Sequence, residues 1–153
     1  MNFNLSDEQK QLADAIRRFV EKSYDFESRK KNIKGANGYG EQAWGGLVEL
    51  GLTALPVPEA QGGFSGTAVD MMVVQQELGR GLVVEPYFAT VVAAQALKLA
   101  GGQEALLEQV AGGELKLATA FNEQQARHEL NNVTVTAKGG KLNGRKVVVT
   151  HGA

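Results

Sequence analysis

The spacing of apolar residues changes once along this 153-residue chain, near Gly112 and Gly113. Before these glycines, apolar residues recur three and four positions apart, as on one face of an α-helix. After them, apolar and β-branched residues alternate with other residues, as in a strand. The chain is therefore predicted to be mainly helical, with a helical unit over residues 1–113 and the beginning of a β unit over residues 114–153.

End signals predict the first two helices. Ser6 and Gln9 are spaced as a capping box, in which the serine hydroxyl accepts from the backbone N–H of Gln9 and the glutamine side chain reaches back. Helical spacing continues from there and predicts a helix over about Asp7–Tyr24. A second helix, roughly Glu41–Leu50, ends at Gly51, a residue suited to the left-handed position that follows a helix.

The third predicted helix begins at Thr67, which can cap it together with Asp70 three residues on. It is expected to end near Gly79 or Gly81. The residues that fall on successive turns are Val69, Met72, Val73 and Gln76. The preceding stretch, Leu55–Gly66, contains two prolines and three glycines and is predicted to be irregular.

An almost wholly apolar helix is predicted over Tyr87–Ala100, with Pro86 suited to its first turn. Because so few of its residues are polar, we expect this helix to be central. A short helix that contains Leu107 and Val110 closes the helical unit.

Strands are predicted over Leu115–Phe121, Val133–Ala137 and Val147–Val149. The dipeptides Gly139-Gly140 and Asn143-Gly144 are typical of hairpin turns. About three strands with no closing partner would leave exposed edges, which native sheets avoid. We therefore expect the chain to be the front part of a longer protein.

Charge and composition exclude several classes of function. The net charge is −1, with both signs spread along the chain, so no overall field attracts nucleic acid or a membrane. The densest basic run, from Arg29 to Lys34, is expected to be a solvated helix end or loop. The chain contains no cysteine, and His128 and His151 are far apart, so no metal site is predicted. No signal peptide or membrane span is recognised, and a cytoplasmic protein is expected.

Motif searches find few catalytic signatures. The segment Gly38–Ala43 matches the loose dinucleotide-binding fingerprint, but the residues before it are charged and polar. A pyrophosphate site needs a buried strand, a tight turn and a helix together, so no nucleotide site is expected there.

A co-linear set of short segments, spread over nearly the whole chain, carries more information. The set consists of Leu5–Gln9, Leu12, Arg17–Phe19, Trp44 with Leu47 and Glu49–Leu52, Val57–Glu59, Gly62-Gly63, Glu77–Arg80, Ala118–Glu123, Leu142–Lys146 and Val149-Thr150. Its order and spacing resemble the N-terminal and early middle domains of acyl-CoA dehydrogenases. The resemblance implies a helical-bundle N-terminal domain followed by the first strands of an antiparallel β-barrel domain.

The resemblance also implies an activity. Members of that family oxidise an acyl-CoA thioester to the 2,3-enoyl-CoA, use FAD as the hydride acceptor and pass electrons to an electron-transfer flavoprotein. Their catalytic base is a glutamate in a C-terminal helical bundle, so no residue of this chain is assigned a catalytic role. A homo- or hetero-oligomer of dehydrogenase subunits is expected.

Site residues follow from the same resemblance. The segment that contains Thr119, Phe121 and Asn122 matches one that lies against the flavin, mainly through backbone groups. Val148 and Thr150 match a second flavin contact, with the threonine hydroxyl near N5. His128 falls where a serine normally meets substrate and flavin, and Thr90 lies where the acyl tail usually packs. Amide-like groups on the flavin edge suit strand N–H and C=O groups and a hydroxyl.

One segment departs from the family pattern. Glu123–Glu129 stands where the family usually reads Glu-Pro-x-x-Gly-Ser-Asp, and Val148 stands where many members have tryptophan. These changes also suit a divergent, non-catalytic subunit of a heteromeric acyl-CoA dehydrogenase, acting in assembly or substrate shaping. A free-standing helical interaction module is a third interpretation, against which the unfinished sheet argues.

Overall fold

A computed structural model describes residues 4–152; Met1–Phe3, at the start of the predicted helical unit, and Ala153 lie outside the described residues. The helices are α1 (Asp7–Ser23), α2 (Phe26–Ile33), α3 (Glu41–Glu49), α4 (Ala68–Arg80), α5 (Tyr87–Ala100) and α6 (Glu104–Ala111). The strands are β1 (Thr136–Lys138) and β2 (Lys141–Asn143). The chain is therefore mainly helical, followed by the start of an antiparallel sheet, as predicted.

Side chains cap the helices where the sequence predicts it. Ser6 Oγ accepts from the backbone N–H of Gln9 over 3.2 Å, and Gln9 Oε1 accepts from the backbone N–H of Ser6 over 3.0 Å. Thr67 and Asp70 form the same reciprocal pair at the start of α4. Gly51, just beyond α3, has φ +71°. These positions fix three of the helix ends.

The helix α2 was not predicted. It has an N-cap, because the Asp25 carboxylate accepts from the backbone N–H of Ser28 over 2.8 Å. None of its residues is buried, so there is no apolar periodicity to detect. Its last turn carries Lys30 and Lys31, both exposed, so this part of the basic run lies at a helix end and is open to solvent.

The main core lies between α1, α3, α4 and the first half of α5. Its fully buried side chains include Ile16, Leu47, Leu52, Val74 and Tyr87. A second cluster joins α5, α6 and the loop after α3 through Val57, Ala94, Leu107 and Val110. Burying each large aliphatic side chain contributes about 1.5–3 kcal/mol. Beyond Ala94 the residues of α5 are half-buried or exposed, so the helix is central only over residues 87–94, whereas the whole helix was predicted to be central.

The buried face of α4 differs from the predicted one. Val69, Met72 and Gln76 are exposed, and the buried residues are Val73, Val74, Glu77 and Leu78. Glu77 is buried because two guanidinium nitrogens of Arg17, on α1, donate to its carboxylate over 2.9 and 3.2 Å. Because this charged residue lies on the inner face of α4, the spacing of apolar residues in the sequence did not identify that face.

The strand predictions were partly wrong. Among the described residues, Leu115–Phe121 and Val147–Val149 are not strands, and only the end of the middle segment lies in β1. The two strands form an antiparallel hairpin in which Thr136 pairs with Asn143. Its turn is the predicted Gly139-Gly140, both with positive φ. A strand requires a neighbour along its length, and the outer segments meet too little backbone to form a ladder.

Candidate functional site

Residues 114–122 leave α6 and run back past α3 and α5 to the candidate site. The indole Nε1 of Trp44 donates to the Gly113 carbonyl over 2.9 Å and fixes the start of this path. Lys116 pairs with Glu41 over 3.0 Å, and its ammonium lies 5.2 Å from the centre of the Trp44 ring. These contacts attach the segment to the helical core.

Thr90 holds the same segment from the side of α5. Its hydroxyl accepts from the backbone N–H of Leu117 over 3.1 Å and can donate to the Leu117 carbonyl at 3.4 Å. Thr90 is 1 % exposed. An unpaired buried hydroxyl costs free energy, so this pairing explains a polar residue in an apolar helix. The assignment of Thr90 to substrate binding stays a prediction, and in this structure its hydroxyl is engaged by Leu117.

The carboxylate of Glu123 lies at the centre of the candidate site, with its side chain 1 % exposed. Oε1 is 2.6 Å from Lys146 Nζ and 3.3 Å from the backbone N of Val135. Oε2 accepts from the backbone N–H and hydroxyl of Thr134, at 2.7 and 2.6 Å, and from Gln125 Nε2 at 2.7 Å. Lys146 first, and then Thr134, hold the pKa of the Glu123 carboxyl far below its usual range.

The Glu123–Lys146 pair lies where two separate segments meet. The backbone N–H of Val147 donates to the Asn122 carbonyl over 2.9 Å. The Lys146 ammonium also lies 3.3 Å from the Phe121 carbonyl, 25 positions earlier in the chain. The segments around Asn122 and Val147, which the resemblance assigned independently to the flavin, are therefore adjacent in space.

The five residues predicted to contact the flavin lie at the surface of this junction. Thr119 and Asn122 are half-buried, whereas Phe121 and Thr150 are exposed. Val148 is 81 % exposed and has φ +51°. That backbone region is unfavourable for a β-branched residue, so Val148 is a strained position next to the paired segments.

The backbone polar groups of two residues shortly before Asn122 have no hydrogen-bond partner among the described residues. Neither the N–H nor the C=O of Thr119 or Ala120 makes a hydrogen bond to another described residue. Thr119 is half-buried and Ala120 is exposed, so these backbone polar groups can take a ligand or water as partner.

His128 lies at the end of a turn that covers residues 124–128, five positions after Glu123. It is exposed. Arg127, just before it, has φ +51°. The structure therefore places His128 on the surface, on the turn that replaces the usual family motif, and its substrate role stays a prediction.

Sequence reasoning missed the part that Glu123 and Lys146 play. Both residues belong to segments that carry the resemblance, but a pattern of apolar residues does not predict a buried ion pair. The usable signal was Glu123 itself, the one residue of its motif that the chain keeps, together with Thr134 and Lys146 further on.

The next two observations concern metal binding and membrane spanning, and both apply to residues 4–152. No group of three histidine or carboxylate side chains there is placed to hold a metal ion. Every helix in that range is too short or too polar to cross a membrane.

Comparison with known proteins identifies the fold. Residues 6–114 match the family model described as acyl-CoA dehydrogenase, N-terminal domain. This chain belongs to the acyl-CoA dehydrogenase family. It is 30% identical over 139 residues to acyl-CoA dehydrogenase IpdE2 of Mycolicibacterium smegmatis, which covers 90% of this chain and 45% of the relative. The chain thus spans less than half the length of this acyl-CoA dehydrogenase.

Solved structures show the same architecture. The Tcur3481-Tcur3483 steroid ACAD G363A variant matches with a TM-score of 0.85 at 25% identity, over 94% of this chain and 41% of that one. The FAD complex of PigA matches with a TM-score of 0.75 at 25% identity, over 97% of this chain and 42% of that one. Both matches cover a larger share of the chain than its helical part does.

Proposed function

We propose that this acyl-CoA dehydrogenase family chain forms the N-terminal part of an FAD-dependent enzyme that oxidises an acyl-CoA thioester to the 2,3-enoyl-CoA. Residues 1–113 would be its helical domain, and residues 114–153 the start of its flavin-binding β domain. Electrons would pass to an electron-transfer flavoprotein, and the enzyme would act as an oligomer of like or unlike subunits. The observation that carries the proposal is the meeting of the segments around Asn122 and Val147.

The residues at this junction fit a flavin. The isoalloxazine edge carries amide-like donors and acceptors, and the backbone groups of Thr119 and Ala120 are open. The residues proposed to hold FAD are Thr119, Phe121, Asn122, Val148 and Thr150. When bound, FAD would supply the acceptor for the hydride that leaves the substrate.

The other residues of the site would position this surface. Glu123 and Lys146 hold the two segments together, and Thr90 fixes Leu117 at the start of the first one. His128 is proposed to face the substrate from the neighbouring turn. No acid of this chain is proposed as the base that removes the α proton.

A second candidate function has an observation of its own. The chain keeps Glu123 but has Gln124, Arg127, His128 and Glu129 where the family motif usually has proline, glycine, serine and aspartate. Since such changes alter the surface that would face substrate, they favour a non-catalytic subunit that pairs with a catalytic partner.

The visible spectrum of the complete gene product tests both candidates. We expect a stoichiometric flavin whose absorbance bleaches when an acyl-CoA is added. Thr150→Val should slow this bleaching several-fold and leave the FAD content unchanged, whereas the control Thr136→Val, on strand β1, should alter neither. A product that binds FAD but never bleaches would favour the non-catalytic subunit. A product that contains no flavin would contradict the assignment of both segments, the one around Asn122 and the one around Val148, to FAD binding.

A further inference from the structure

A groove of about 990 Å³ lies between α1, α2 and α3 and is lined by none of the residues of the candidate flavin site. Its walls include Arg18 and Lys22 of α1, Lys31 of α2, and Gly45 and Glu49 of α3. The inference drawn from this groove is independent of the proposed function.

The dimensions of the groove match an α-helix. The α1 wall runs from Ala15 to Ser23 and the α3 wall from Gln42 to Leu50, so at 1.5 Å per residue each is about 12 Å long. A volume of 990 Å³ divided by that length gives a cross-section of about 80 Å², that of a cylinder about 10 Å wide. A helix with its side chains is about 10–12 Å in diameter.

The charges on the groove are unbalanced. Arg18 and Lys22 lie one turn apart on α1, and all three cations, including Lys31, are exposed. None of the three forms an ion pair with another residue of the described range 4–152. Glu49, on the opposite wall, is the carboxylate among the lining residues. Complementary charge would therefore be an acidic stripe facing α1 and α2.

The α3 wall of the groove contains a glycine, Gly45, that the fold itself does not require. A Cβ at Gly46 would collide with the ring of Phe19, which explains that glycine. A Cβ at Gly45 would meet no atom within 4 Å. A glycine inside a helix costs about 1 kcal/mol relative to alanine, so Gly45 leaves helix backbone bare without an internal packing reason. Bare backbone permits the close approach of another helix.

We propose that this groove binds an α-helix of a partner protein, one that carries acidic residues one turn apart and a small residue facing Gly45. The acidic residues would pair with Arg18 and Lys22, and Lys31 would flank them. This is the helix-in-groove mode of recognition, with the charges determining register and orientation.

The test uses the 153-residue chain and a synthetic helical peptide about three turns long, with glutamates at positions i and i+4 and alanine between them. We expect saturable binding by fluorescence anisotropy, with amide NMR shifts at Gly45 and its neighbours. The double variant Arg18→Glu/Lys22→Glu should weaken binding at least about tenfold and should bind the peptide in which lysines replace the glutamates. The matched control, Lys98→Glu/Lys138→Glu, makes the same charge change outside the groove and should bind like the wild type.

A large side chain introduced at Gly45 provides a second, independent test of the proposal. Gly45→Leu should abolish binding without lowering the melting temperature, because its side chain enters open space. Gly45→Ala should retain most of the binding. The proposal is overturned if no saturable binding occurs, if the control reversal weakens binding equally, or if the chain self-associates through the groove in a way that Gly45→Leu abolishes.

Discussion

A buried carboxylate is tolerated only when the oxygen lone pairs that lose water find donors. Glu123 meets this condition with the Lys146 ammonium, the backbone and hydroxyl of Thr134, and two further N–H groups. The donors come from segments on both sides of the β1–β2 hairpin. One side chain therefore organises residues that are 23 positions apart.

Removing the charge of Glu123 should loosen this junction. Glu123→Gln keeps the size of the side chain but leaves Lys146 half-buried without its counter-ion. We expect amide hydrogen exchange at Thr134 and Val147 to quicken several-fold, while amides of α1 and α4 keep their rates. The control is Glu129→Gln, an exposed glutamate just after the turn that covers residues 124–128, which should change neither amide. Unchanged exchange in Glu123→Gln would contradict the organising role.

The Arg17–Glu77 pair ties α1 to α4 and makes stability depend on pH. Arg17 holds the pKa of the Glu77 carboxyl below its usual value. The unfolded pKa of glutamate is about 4.3, so the pair stabilises the fold above that pH and loses this effect as pH falls through the lower, folded pKa.

Glu77→Gln should therefore reduce the free energy of unfolding at pH 7 by about 1.5–3 kcal/mol, the usual contribution of hydrogen bonds to a charged group. The difference from the wild type should shrink as the pH falls below about 4. Urea unfolding at several pH values measures this, with Glu108→Gln, an exposed residue of α6, as control. A difference that stays constant down to pH 2 would show that Glu77 acts through shape and not through charge.

Helix α5 contacts the segment that leads to the candidate site through Thr90, whose hydroxyl bonds to the backbone of Leu117. Two substitutions, one that removes the hydroxyl and one that removes the methyl group, test which of the two groups holds this segment. Thr90→Val keeps the shape but leaves the Leu117 N–H without its acceptor, which costs about 1–3 kcal/mol. Thr90→Ser keeps the hydroxyl. We expect the Leu117 amide to lose protection from hydrogen exchange in Thr90→Val and to retain it in Thr90→Ser. Equal loss in both variants would mean that packing of the methyl group, and not the hydrogen bond, holds Leu117.

At the scale of elements, the sequence predicts the helices that bury apolar residues, and side-chain caps add the residue at which some of them begin. That is the case for α1, with Ser6 and Gln9, and for the boundaries of α4, with Thr67 and Asp70. The inner face of α4 could not be predicted, because the burial of Glu77 depends on pairing with Arg17, sixty positions earlier, as well as with Arg80 of the same helix. The helix α2 buries no residue, so its formation depends on its Asp25 cap and one local ion pair, Lys30 with Glu27.

The candidate site shows the same limit. The resemblance pointed to both segments, but their contact through Asn122 and Val147 depends on a long-range backbone hydrogen bond. The strand propensity of Val147–Val149 is real, yet propensity produces a strand only where a neighbouring strand lies alongside. The described residues supply such a neighbour for β1 and β2 alone.

The molecule as a whole has a dense part and an open part. The apolar cores lie within the helices and the loop after α3, whereas most residues from 124 to 152 are exposed, including all of β1 and β2. A two-stranded hairpin is marginal by itself in water. The residues proposed to hold FAD lie at the border between these parts, where a ligand site would be supported on one side only.

We therefore expect the 153-residue chain by itself neither to hold FAD tightly nor to oxidise an acyl-CoA. The proposed contacts are two short segments, joined by one backbone hydrogen bond and the Glu123–Lys146 pair. Val148 and Thr150 are exposed, so nothing fixes their positions against a ring system. Binding and hydride transfer both depend on residues whose own positions are locked by packing. Removal of an α proton also needs a base within hydrogen-bond reach, and no carboxylate of this chain is proposed for that role.

The measurement is the visible spectrum of the purified chain after FAD is added and the excess removed, recorded before and after an acyl-CoA. We expect less than stoichiometric flavin and no bleaching. Glu123→Gln and Thr150→Val should leave this result unchanged. A flavin site that is packed on one side only binds FAD weakly already, so the loss of one contact should have no measurable effect. A stoichiometric yellow protein that bleaches with substrate would show that these two segments suffice, and would place the catalytic base among the acids of residues 1–153.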